Sequence, residues 1–189
     1  MKRYLMLWLF FIHGCASAPT QFYALESVSG SVALKSEAQK KIVGIAQMSL
    51  PSALERKQIV TRDKTGQRFL DEQHQWAALL KQNMTEVVAK NLANRQVAFW
   101  FKAYPWSNLG AVDYRLVLDV TRLDIVLGEA IDVSVDWAIL DEKQHRVLRH
   151  DSVDLSHALA DRQYATAVAA LNQVLGQLSD QLAPVFALF

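Results

Sequence analysis

A single cysteine, Cys15, stands in this chain of 189 residues, so no disulfide can form within it, whatever its compartment. Neither sign of charge dominates, with 20 Lys and Arg facing 19 Asp and Glu. That balance gives no support for a nucleic-acid partner, which would want a clustered basic surface. Glycine and proline are scarce, at 7 and 4 residues, and no low-complexity tract or internal repeat is visible. The chain has no Gly-rich phosphate loop, no G-x-S-x-G turn and no H-E-x-x-H pair. Beyond its first fifteen residues no apolar run approaches the ~20 residues of a membrane-spanning helix.

The one long apolar run is at the start. Lys2 and Arg3 precede nine apolar residues, Tyr4 to Ile12, followed by His13-Gly14-Cys15-Ala16. Positive charge followed by a short apolar stretch is the pattern of a secretory signal. Nine helical residues rise about 14 Å, roughly half a bilayer core, so the run is too short to be a permanent span. A buried core helix would show an amphipathic pattern, which this stretch lacks. Its ending resembles the bacterial lipobox, in which a small residue precedes a cysteine that is acylated on sulfur and becomes the mature first residue. Gly14 fits that position, while His13 departs from the usual small or hydroxyl residue. The expectations are a signal peptide over 1–14, lipidation at Cys15 and a short tether over 15–21. Several acyl chains on one residue would make a stable anchor where one chain is marginal. Ala16 after the cysteine, in place of aspartate, implies sorting to the outer membrane, facing the periplasm.

Without residues 1–14 the chain keeps 175 residues, enough for one domain with its own core. Losing Lys2 and Arg3 leaves 18 basic against 19 acidic residues, a formal charge of −1. Phe22 to Leu25 reads as a first strand, and the Ser-, Lys- and Glu-rich stretch 26–41 as a surface loop. Lys41 to Leu50 reads as a second strand closed by Pro51. Gln58–Arg62 and Gln67–Leu70, split by Asp63-Lys64-Thr65-Gly66, read as a hairpin.

Trp76, Leu79, Leu80, Met84, Val87, Val88 and Leu92 fall on one face of a 3.6-residue period, which predicts a helix from Trp76. In Tyr114 to Val120 the even positions are apolar, whereas from Leu123 the odd ones are. One extra residue flips every later side chain, so a bulge is expected near Thr121-Arg122. Ile131, Val133, Val135, Trp137 and Ile139 alternate with polar residues, as one buried and one wet sheet face requires. The polar turn 141–145 leads to a further strand from Arg146. A last helix, Asp161 to Ala183, carries Tyr164, Val168, Leu171, Leu175, Leu178 and Leu182 as a narrow seam and ends at Pro184. Packing on the domain's own sheet accounts for that seam better than a coiled coil between subunits, because it is under four heptads long. The expected fold is α+β: a mostly antiparallel sheet with two long amphipathic helices packed on it, in one domain.

Chemistry is sparse. His74, His145, His150 and His157 lack metal-ligand spacing and read as solvated; His150 and His157 would point to opposite faces of a strand, as would Asp151 and Asp154. Asn83-Met84-Thr85 matches a glycosylation sequon but falls inside the first helix. Arg62 and Trp106 are the polar-capable residues of most interest, with a turn or packing role as the simpler account. No catalytic set, cofactor or metal site emerges.

The ordered set of motifs resembles a known family, the ABC-type transport auxiliary lipoproteins that accompany MCE components (the PqiC-like group). The residues that carry it are Phe22-Tyr23-Ala24-Leu25; Val43 to Pro51 with Leu54 and Gln58 to Arg62; Trp76-Ala77; Tyr104-Pro105-Trp106; Asp113 to Asp119; Trp137 with Asp141; and Tyr164 through Ala183. Two departures are the absence of a proline soon after Trp76-Ala77 and of a glycine in the turn after Asp141. The resemblance implies a 22–189 domain of that family and a non-enzymatic role in moving lipid between membranes. Its partners would be an MCE-domain periplasmic protein and the associated inner-membrane transporter, with no nucleic acid. A homo-oligomeric ring would suit a symmetric conduit. The other class consistent with an anchor and no chemistry is an envelope scaffold or regulator.

Overall fold

The computed structural model describes residues 19–28, 41–96, 98–106 and 110–189; the N-terminal segment with Cys15 lies outside them. In chain order the elements are β1 (Gln21–Tyr23), β2 (Lys41–Ile45), β3 (Gln58–Arg62), β4 (Arg68–Trp76), α1 (Leu80–Arg95), β5 (Phe99–Ala103), β6 (Tyr114–Val126), β7 (Ala130–Asp141), β8 (Arg146–Ala158) and α2 (Tyr164–Phe186). The strands form a five-stranded sheet of order β5-β2-β6-β7-β8 and a three-stranded sheet of order β1-β4-β3. The long pairings, β6 with β7 and β7 with β8, are antiparallel. The short ones, β1 with β4, β2 with β5 and β2 with β6, are parallel, so the sheets are mixed.

Alternation builds the large sheet. Leu116, Leu118 and Val120 of β6 and Ile131, Val133, Val135, Trp137 and Ile139 of β7 are buried on one face. Val120 pairs with Val135 and Arg122 with Ser134, so Thr121 is the extra residue of a bulge. Its effect is the expected one: Leu123 and Ile125 return to the core after the phase has changed. Both helices cover this face, α1 against β5 and α2 against β7 and β8, and they also pack on each other. Val168, Leu171, Leu175, Leu178 and Leu182 are all buried within the chain, so the seam of α2 serves its own core. Each such side chain contributes about 1.5–3 kcal/mol of apolar transfer, offset largely by chain entropy. Among the described residues no helix is long and apolar enough to cross a membrane.

Several boundaries differ from expectation, each for a local reason. Trp76 and Leu79 are not part of α1. The Trp76 amide donates to the Lys57 carbonyl and that of Ala77 to Tyr23, so sheet pairing holds the backbone extended and the helix starts at Leu80. Trp76 is buried from the strand, while Leu79 is left exposed. At the other end, Pro184 does not end α2 but sits in its last turn. A proline near a helix end loses only one backbone bond, and the turn it occupies delivers Phe186 to the core, against Phe99 and Phe101 at ring separations of 5.5 and 5.0 Å.

β5, unmarked by any sequence pattern, supplies those two phenylalanines. The second strand stops at Ile45, although Ala46 and Ser49 still donate to β6 carbonyls before Pro51. In the β7–β8 turn, where a family glycine is absent, His145 itself adopts φ 51°. The Asp141 carboxylate accepts the amides of Lys143 and Gln144 and holds the turn in place.

Candidate functional site

The chain from Leu25 to Val28 is the first feature that sequence patterns did not reveal. It crosses the helical layer, and three asparagine side chains receive its amides. Leu25 donates to Asn83 Oδ1 at 2.7 Å, Glu26 to Asn172 Oδ1 at 3.0 Å and Val28 to Asn91 Oδ1 at 3.0 Å. Asn83 and Asn91 lie on α1 and Asn172 on α2, so this strap ties the N-terminal segment to both helices. Residues 26–28 are therefore pinned rather than loose, because a backbone laid on helices needs side chains to satisfy its amides. The rest of the expected loop, 29–40, lies outside the described residues. Gly176 admits the strap: a Cβ there would come within 2.5 Å of Val28 Cγ2. The sequon is explained as well, since Asn83 holds the strap and the buried Thr85 hydroxyl accepts the Met48 amide.

We expect Asn91→Ala to cost about 1 kcal/mol, the net worth of one partly buried hydrogen bond, because Asn91 Nδ2 is itself buried without a partner. The check is hydrogen exchange: the Val28 amide loses protection first, with Leu25 and Glu26 less affected.

The second feature is a cleft of about 800 Å³ between the β3–β4 hairpin, the β6–β7 turn and the start of α2. Arg62, Lys64, Phe69, Leu70, Leu127 and Tyr164 are among its lining residues. Arg62 is no turn residue. Its Nη1 donates to Asp124 Oδ2 at 2.7 Å, which fastens the hairpin to β6. Asp124 Oδ2 also accepts Arg122 Nε at 2.7 Å, and Arg122 Nη2 reaches Asp132 at 3.3 Å. Arg62 Nε is buried without a partner. Lys64 closes the far rim with an ion pair to Glu129 at 2.8 Å.

Burial works against the Asp124 charge, but hydrogen bonds from Arg122 and Arg62 outweigh it and hold the carboxyl below the usual range. Asp113 is held low first by Lys143 and then by the Ile42 amide, which it accepts at 2.8 Å. A carboxylate with a lowered folded-state pKa contributes stability above its unfolded value of about 3.9, and loses it as pH falls through the folded value. Stability should therefore fall in the window below about pH 4. Asp124→Asn should cost about 1–2 kcal/mol at pH 7, discounted because the arginines are partly exposed. It should also flatten the acid limb of a denaturation series.

The histidines divide. His74 is not solvated: its ring stacks on Tyr164 at 3.9 Å and 13°, and its Nδ1 lies 2.8 Å from the Tyr23 hydroxyl, which itself donates to Gln21 Oε1. Burial raises the pKa of both tyrosines, so this Tyr–His–Tyr joint packs β1 and β4 on the start of α2. His145 and His150 are exposed and His157 half-buried. His150 pairs with Ala138 and His157 with Ile131, on opposite faces; Asp151 and Asp154 are likewise split. Among the described residues no group of three or more His, Cys, Asp and Glu could hold a metal ion.

Trp106 lies flat over Gly44 of β2, with ring carbons 3.0 Å from where a Cβ would stand, and meets Tyr104 edge-on at 5.5 Å. A glycine in that strand is what lets the indole approach. Cys15 falls outside the described residues. The role of the asparagines in holding the strap escapes the sequence patterns, and the spacing of eight between Asn83 and Asn91 along α1 is the one signal that could have marked it.

The family described as ABC-type transport auxiliary lipoprotein component matches residues 23–183. No curated protein matches in sequence. Among solved structures, an uncharacterised protein aligns with a TM-score of 0.72 at 17% identity, covering 89% of this chain and 99% of its own. A protein from Xanthomonas campestris aligns with a TM-score of 0.70 at 16% identity, covering 87% and 93%. At these identities the likeness is one of fold.

Proposed function

This chain belongs to the ABC-type transport auxiliary lipoprotein family, and from that premise we propose that it is the lipid-anchored accessory of an MCE-type lipid transport system. The observation that carries the reading is the extent of the family match, 23–183, which takes in the elements from Tyr23 to all but the last turn of α2. Cys15 is the lipidated residue, residues 1–14 are the signal removed before it, and 22–189 is the domain it carries. Ala16 directs the anchor to the outer membrane, so the domain faces the periplasm.

In this reading the chain performs no chemistry. An inner-membrane transporter hydrolyses ATP, an MCE-domain protein spans the periplasm, and this domain docks the outer end of that conduit. A closed ring of identical copies would match a symmetric tube. Several polar side chains, among them Asn83, Asn91, Asn172, Arg62 and Asp141, hold the strap, the hairpin and a turn in place.

In-cell crosslinking followed by purification of this chain should recover an MCE protein as its main partner, and deletion should increase envelope permeability. Recovery of cell-wall or assembly factors in place of an MCE protein would instead support a scaffold.

A further inference from the structure

We infer that the groove between β5 and α1 is a docking site for an extended, acidic segment of a partner protein, which joins the large sheet as a further strand beside β5. The inference goes beyond the transport reading above and does not depend on the Cys15 anchor.

The free edge of the sheet carries the first step. β5 is an end strand of the five-stranded sheet, paired on one side with β2. The Tyr104 amide donates to the Ile45 carbonyl of β2 at 2.9 Å. Backbone groups alternate in direction along a strand, so those of Lys102 and Trp100 also face β2. The N–H and C=O groups of Phe99, Phe101 and Ala103 then point the other way, to the open edge. Space is present there: a groove of about 390 Å³ has Phe101 and Ala103 on one wall and Ala89 and Ala93 of α1 on the other. A main chain laid in it meets unpaired backbone groups of β5, and the alanines of α1 leave room for its side chains.

Charge carries the second step. Lys102 of β5 and Lys90 of α1 stand on the two walls of the groove, and both are exposed. Lys64, Lys81 and Lys143 are ion-paired elsewhere in the fold, whereas these two reach no carboxylate among the described residues. Glu86, the one acid lining the groove, accepts Gln82 Nε2 at 3.1 Å. Two cations against one engaged acid leave the groove positive, which a segment bearing carboxylates complements. Trp100 points to the face of β5 opposite Phe99 and Phe101, and is 49% exposed. Free edges are commonly guarded by charge; an uncovered indole beside Lys102 instead offers a cross-strand partner to a β-branched or aromatic residue.

The occupant is a lone segment rather than a second copy for a reason of spacing. The other end strand of the large sheet, β8, carries α2 packed on it, as β5 carries α1. Paired strands lie about 4.8 Å apart, whereas packed helices need about 8–10 Å between axes. A β8 brought from a second copy to β5 would drive its α2 into α1. Two β5 strands meeting edge to edge would press α1 on α1 and gather the lysines of both copies in one seam. A segment with no helix of its own avoids both conflicts. The five residues of β5 span about 17 Å, which sets the length of chain the edge can pair.

The test titrates the full-length protein, in detergent micelles, with a fluorescein-labelled peptide of alternating valine and glutamate. Anisotropy reports binding, and amide exchange measured by nuclear magnetic resonance reports its place. The expected result is saturable binding, several-fold tighter than that of a valine–lysine counterpart. Exchange at Phe101 and Ala103 should slow several-fold, with no change along the free edge of β8. A valine–glutamate peptide N-methylated at alternate residues cannot donate to the edge and should bind several-fold more weakly. Lys90→Glu combined with Lys102→Glu should reverse the preference between the acidic and basic peptides. Ala93→Trp, at an exposed position of α1, should fill the groove and abolish binding while leaving the melting temperature unchanged. No binding, equal binding of acidic and basic peptides, or binding without slowing at Phe101 and Ala103 overturns the inference. So does slowing at those amides that grows with protein concentration in the absence of peptide, which would make a second copy the occupant.

Discussion

Cys15→Ala is expected to move the protein from the membrane fraction to the soluble fraction while leaving the folded domain intact. The cause is additive. Each buried methylene of an acyl chain contributes about 0.8 kcal/mol to membrane attachment, so two or more chains give an anchor that does not exchange on a cellular timescale. This chain has no second cysteine to substitute for the first. Among its described residues no helix can span a bilayer. Fractionation and mass spectrometry of the N-terminal peptide check the result. The wild-type peptide should begin at Cys15 with acyl mass added, and the variant should show none. The melting temperature should be unchanged, because the family match begins at residue 23 and the strap that closes the helical layer begins at Leu25. A variant that stays with the membrane under high salt would overturn the anchor.

Phe186→Ala is expected to destabilise the fold by about 3–5 kcal/mol, as for other fully buried aromatics, more than either Asn91→Ala or Asp124→Asn. In a chain of this size that corresponds to a fall in melting temperature of about 10 °C. Phe186 is completely buried, and Phe101 meets it edge-on at an interplanar angle of 85°. Its ring joins the end of α2 to β5, the edge strand, so the cavity would open where two elements meet. Pro184→Ala, two residues earlier, is the informative companion. Pro184 is exposed and lacks only an amide, so its replacement should leave the melting temperature nearly unchanged. Thermal unfolding followed by circular dichroism separates the two.

Those two residues show how far sequence patterns reach. The proline was legible as a stop signal, and near a helix terminus that signal is weak: the one missing bond is outweighed by burying Phe186. The same competition settled Trp76. Its spacing fits the helical face that follows, yet its amide is taken by the Lys57 carbonyl, contributed by a segment 19 residues earlier in the chain. The bulge at Thr121 was legible in full, because a change of alternation phase within one strand has a single geometric meaning. The asparagine ladder was not. Asn83, Asn91 and Asn172 acquire a purpose only once two helices and a strap are brought side by side. For Arg62 the sequence pointed to the residue and the structure supplied its partner, Asp124, 62 positions away.

By itself the sequence determined the α+β class, the seam of α2, the bulged β6 and the family to which the chain belongs. The class, the seam and the bulge follow from periodicity and local order, in which each residue's neighbours along the chain are also its neighbours in space, and the family from the resemblance of an ordered set of motifs. The tertiary structure alone decided that the sheets are mixed, that β1 lies parallel to β4, that a strap is held by three asparagines, and that a hairpin is fastened by an arginine. Parallel pairing and side-chain cross-links join residues tens of positions apart. Nothing in a local pattern records which distant backbone or carboxylate will be within 3 Å once the core has closed.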